Sequence, residues 1–78
     1  MNKKEIKQLV KERDDALLSL DKDKIMRYMQ RYGIPCPKNE IVFWAGIHKA
    51  RMHINAATEQ QKQESAAWLL QHGFSLDI

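Results

Sequence analysis

The chain has little of several residue types, and each shortage excludes something. It has one cysteine, Cys36, in 78 residues. That rules out an intrachain disulfide and a cysteine-built zinc cluster, and it suits a reducing compartment. Only three glycines and two prolines occur, with no Gly-rich loop of the kind that cradles phosphate. There is no apolar run long enough to span a bilayer. The basic, amphipathic start lacks the apolar core of a secretory signal, so a soluble, cytoplasmic protein without membrane association is expected. No segment alternates apolar and polar residues as a half-buried strand does, and there is no internal repeat.

What remains reads as helix. Asn2 with Glu5 forms a capping-box pair for a first helix over 2–18, with Ile6, Leu9, Val10, Leu17 and Leu20 as its apolar stripe. Ser19 or Asp21 can cap a second helix over 21–32, where Ile25, Tyr28, Met29 and Tyr32 share a face. Gly33 suits its left-handed end. Ile34-Pro35-Cys36-Pro37-Lys38 is an extended linker, since each proline pushes its predecessor out of the helical region. Cys36 is expected there as a small packed residue. Asn39 caps a third helix over 39–55. Thr58 with Gln61 opens a fourth over 58–72, with Ala66, Leu69 and Leu70 as its core face. Gly73 and Phe74 fit a Schellman end, and Leu76 and Ile78 can anchor the tail. The fold class expected is all-α, a single small four-helix domain spanning 1–78. A chain this short buries only about 60% of its unfolded surface, so completion by homo-oligomerisation is expected.

Charge is uneven. Residues 1–32 hold nine basic and six acidic side chains, residues 33–57 three and one, and residues 58–78 one and three. A positive front against a negative end suits an anionic partner or head-to-tail self-association. It falls short of the basic density of a dedicated nucleic-acid protein. A helix-turn-helix also fails, because the two-proline linker is too long and the third helix opens on apolar residues instead of base-reading ones.

The third helix divides into two faces. Phe43, Ile47, Ala50 and Ile54 form an apolar seam, with Ile41, Ala45 and Met52 filling space beside it. Trp44, His48, Arg51 and Asn55, with Lys49 beside them, form a second row. Those types can hold a flat anionic ligand: Trp44 stacks, Arg51 and Lys49 take phosphate, and His48 and Asn55 read polar edges. The competing reading is a polar seam between helices. Gly46 costs about 1 kcal/mol against alanine inside a helix, which suggests a close approach by a backbone or ligand. His48 and His53 are five residues apart and point to different sides, so no metal site is expected. No serine or cysteine has a base near it in sequence, so no catalytic residues are assigned and no cofactor is called for.

The pattern Tyr32-Gly33, Phe43-Trp44-Ala45-Gly46-Ile47-His48-Lys49, Trp68-Leu69 and Gly73 resembles a set of small proteins encoded by phages and prophages of Gram-positive bacteria. The likeness covers about the last three helices. It implies a setting and carries no assigned activity. A phage accessory protein of this size is expected to act by binding. The leading expectation is that it sequesters an anionic, nucleotide-like immune signal as a sponge; inhibition of a host or defence protein is the alternative. A weak nucleic-acid binder, using the basic edges of the first two helices, is a third reading.

Overall fold

The computed structural model describes residues 2–76. Four helices follow in order: α1 (Lys3–Ser19), α2 (Lys22–Arg31), α3 (Glu40–Arg51) and α4 (Glu59–Gln71). No strand occurs among the described residues, and none of their helices is long and apolar enough to cross a membrane. The fold is all-α. It comprises two compact helical units, Met1–Pro35 and Cys36–Ile78, with α1 packed on α2 and α3 packed on α4.

Helix starts follow from short polar caps. Asn2 Oδ1 accepts the Glu5 amide at 2.9 Å while Glu5 returns the bond to the Asn2 amide at 3.3 Å. Asp21 caps α2, accepting from the amides of Asp23 and Lys24. Ser19 turns back instead and donates to the Ala16 carbonyl at 2.7 Å. Asn39 accepts from the Ile41 and Val42 amides, and Thr58 pairs reciprocally with Gln61. Each cap satisfies first-turn amides that have no carbonyl partner inside the helix.

Two helices end in Schellman motifs. Gly33 (φ +66°) lets the Ile34 amide reach the Met29 carbonyl at 2.8 Å, and Gly73 (φ +78°) lets the Phe74 amide reach the Leu69 carbonyl at 2.9 Å. Between α1 and α2 the left-handed residue is Leu20 (φ 51°), a conformation that a side chain makes unfavourable.

In the first unit Ala16 and Leu17 of α1 bury against Ile25 and Met29 of α2. The expected stripe is only partly used. Leu9, Val10 and Leu20 are half-buried, and Ile6 is 47% exposed. The reason is length: at 1.5 Å per residue the ten-residue α2 spans about 15 Å against about 25 Å for α1. Within this unit the N-terminal part of α1 therefore extends past α2. Glu12 fastens the pair, accepting from the Tyr32 hydroxyl at 2.7 Å and pairing with Arg31 at 3.0 Å. The Tyr32 hydrogen bond is the main cause holding the Glu12 carboxyl below its ordinary range, with smaller help from Gln8 and Arg31 against the cost of burial.

The second unit has its core in Phe43, Ala45, Ile47, Ile54, Ala57 and Leu69. Several expectations need correcting. α3 stops at Arg51, not near Asn55. Tight turns follow it, with the His53 amide on the Ala50 carbonyl and the Ala57 amide on that of Ile54. They return the chain in time for the Thr58 cap. Ala50 and Leu70 (60% exposed) face outward, and Ala66 is half-buried. Ser65 is buried on α4 as fully as Leu69, at 0% exposure. Cys36 is exposed, not packed. Leu76 is 37% exposed, and the anchoring expected of Ile78 lies outside the described residues.

Candidate functional site

The second unit is an antiparallel hairpin, and its helices meet in a fixed register. Arg51 reaches Gln61 and Ser65, and His48 reaches Ser65 and Trp68. The polar row predicted on α3 is therefore turned mainly toward α4. His48 is 6% exposed and Arg51 3%.

The centre of this seam is a three-residue network. Arg51 donates from one terminal nitrogen to the Gln61 carbonyl at 3.1 Å and to Ser65 Oγ at 3.1 Å. Ser65 Oγ lies 2.9 Å from His48 Nδ1. Glu64, more than half exposed, approaches the same Arg51 nitrogen at 3.7 Å. Arg51 Nε is buried without a hydrogen-bond partner. Burial first, then the Arg51 guanidinium and then His72, push the His48 imidazole below its ordinary range. All three act alike: a second positive charge here would lose water and stand beside a cation.

Toward the open end of the hairpin the network gives way to rings. His48 stacks on Trp68 at 4.5 Å, Trp68 stacks on His72 at 4.0 Å, and Trp44 lies tilted 6.3 Å from His48. Phe74, brought back by the Schellman turn, is near-parallel to Trp68 at 6.2 Å. His72 is held by a 2.8 Å contact from Nδ1 to the Trp68 carbonyl. Trp44, Trp68 and Phe74 are half-buried and His72 is exposed. Ile41 (46%), Val42 (49%) and Leu70 (60%) add exposed apolar surface at this same end, because the start of α3 lies opposite the end of α4.

The five predicted site residues thus part company. His48 and Arg51 are joined inside the hairpin, with Trp44 at the edge of their seam. Lys49 is half-buried on α3. Asn55 is exposed and lies in the turns beyond α3, so it does not continue the helical row. Gly46 has nothing within 4 Å of the position a Cβ would take. No close approach among the described residues explains it. Ser65 was missed by sequence reasoning because a serine in mid-helix gives no signal of its own. Only the pairing of α4 with α3 shows it as the common partner of two cationic-type side chains.

Ser65 and His48 have the composition of a nucleophile and its base. At 0% exposure the hydroxyl lies inside the seam, between His48 and Arg51. Among the described residues no three His, Cys, Asp or Glu side chains converge as metal ligands. Two clefts of about 190 and 220 Å³ lie in the first unit, and neither is lined by a predicted site residue. No protein-family model, curated protein or solved structure matches the chain.

Proposed function

We propose that this is a non-enzymatic binding protein, an interaction module that inhibits a host or defence protein in the manner of a phage accessory protein. Its working surface is the open end of the second hairpin. One observation carries the preference. Arg51, the chief group that would hold a phosphate, is buried with one terminal nitrogen bonded to Gln61 and Ser65 inside the hairpin, whereas Ile41, Val42 and Leu70 stay exposed at the end where the half-buried tryptophans lie. Exposed apolar and aromatic surface of this kind is what protein interfaces draw on.

The test is capture of a stoichiometric host partner by the purified chain and by surface variants. Ile41→Lys combined with Leu70→Lys should abolish capture, and Lys49→Ala should retain it. Capture that is indifferent to the double substitution removes this reading.

The sponge reading, sequestration of a nucleotide-like anion, takes second place. It draws on the stack of flat rings that ends at the exposed His72. Lys49 would then have to hold phosphate with little help from Arg51. Calorimetry against cyclic and linear nucleotides decides it. Binding that is lost in Lys49→Ala would favour the sponge, and no heat with any nucleotide would end it.

A further inference from the structure

A serine hydroxyl has one proton to give and two lone pairs to share. Ser65 Oγ accepts from the Arg51 guanidinium at 3.1 Å and lies 2.9 Å from His48 Nδ1. Ser65 Oγ has no further hydrogen-bond partner among the described residues, and Ser65 is fully buried. Its proton therefore goes to His48 Nδ1. That requires a neutral imidazole carrying its own proton on Nε2.

We propose that this arrangement is an acid-sensitive latch: His48 holds α3 against α4 only as the neutral imidazole, and protonation at Nδ1 releases the second hairpin. A protonated Nδ1 becomes a donor aimed at Ser65. The serine must then accept from both sides, and its own proton is left without an acceptor in a dry seam. A buried polar group left unpaired in this way is strongly unfavourable.

The charges around His48 act in the same sense. On α3, Arg51 is a fixed buried cation, and Lys49 is the adjacent residue. On α4, His72 is a second titratable ring, stacked on Trp68. Glu64 is a carboxylate that reaches the seam. It is directed to Arg51 and is largely exposed, so it does little to stabilise a second cation. The indole face of Trp68 attracts an imidazolium, but it supplies no acceptor for the stranded serine proton.

The sign follows. A free imidazole protonates near pH 6.5, whereas burial, Arg51 and His72 push His48 lower in the fold. Above about pH 6.5 both folded and unfolded chains hold the ring neutral and the latch is at full strength. As pH falls below that value the unfolded chain takes the proton first, and stability drains away until the folded ring protonates too. If the interaction reading above holds, partner capture weakens over the same range, since the proposed surface sits on α3 and α4.

The test uses the free chain, so it does not depend on any partner. Nitrogen-edited NMR of the imidazoles at pH 7.5 should show His48 protonated on Nε2 and bare on Nδ1. Amide exchange, corrected for intrinsic rates, should show opening of α3 and α4 rising by up to about tenfold per pH unit below pH 6.5, the limit for one linked proton. His48→Gln should lose that excess, while His53→Gln and His72→Gln keep most of it. An Nδ1-protonated His48 at neutral pH, or an unchanged acid response in His48→Gln, overturns the latch. If His48→Gln does not fold, the tautomer measured in the native chain decides the question.

Discussion

Ser65→Ala is the substitution on which the description of the second hairpin depends most directly. It removes one oxygen from a fully buried position and changes the packed volume very little. It takes away the 3.1 Å bond from Arg51, a charged donor, and the 2.9 Å bond with His48. A hydrogen bond to a charged group contributes about 1.5–3 kcal/mol and a neutral one about 1. Arg51 keeps the Gln61 carbonyl and the Glu64 approach, so its charge is not stranded, and the expected loss is about 2–4 kcal/mol. Against a total of about 5–15 kcal/mol for a typical domain that is a large fraction. Urea unfolding followed by far-UV circular dichroism measures it. His48→Phe and the double variant close a cycle, in which the Ser65 and His48 effects should be strongly non-additive. A loss below about 0.5 kcal/mol, the range of ordinary surface changes, would mean that the three groups are not locked together in a dry seam.

Three further outcomes follow from the same structure. Gly46→Ala should stabilise the chain by about 0.5–1 kcal/mol, read as a higher urea midpoint, because the Cβ meets nothing and glycine is a poor helix former; a lower midpoint would show that something covers this position. Gly73→Ala should cost about 1 kcal/mol or more and loosen Phe74 from Trp68, visible in tryptophan fluorescence, because a side chain resists φ +78°. Tyr32→Phe should return the Glu12 carboxyl toward its ordinary range in an NMR titration, since the tyrosine hydroxyl is the chief cause of its depression. The wild-type stabilisation from that bond is present above the ordinary glutamate range and fades as pH falls through the depressed folded value; an unmoved Glu12 would refute the bond.

Much of the local structure could be read from residue order. The caps at Asn2, Asn39 and Thr58 and the left-handed ends at Gly33 and Gly73 depend on side-chain and backbone chemistry within a few residues. Near-neighbour chemistry of this kind is legible without a fold. The choice between Ser19 and Asp21 was less so. Both carry a suitable oxygen, and the left-handed Leu20 between them decides which one faces the amides of α2.

The candidate site was legible in part. Helical periodicity placed Trp44, His48 and Arg51 on one face of α3, and that grouping is real. Periodicity cannot say what lies opposite a face. Asn55 was carried along by extending the period past Arg51, where the chain leaves the helix. Ala50 and Leu70 were assigned inward from helical spacing and apolar character, although the seam is set by the residues that α4 presents.

By itself, then, the sequence determined an all-helical chain, the positions of its caps and stops, and the shared row of chemically active side chains on α3, because each of these rests on interactions within about one turn. Only the tertiary structure decided what that row faces. Antiparallel docking of α4 brings Ser65 between His48 and Arg51, across 17 and 14 residues of chain. It buries His48 and Arg51 of that row in the seam and leaves Ile41, Val42 and Leu70 exposed at the open end of the hairpin. No local rule carries that information, since a residue's partner across a seam depends on the register of two helices and not on its own neighbours.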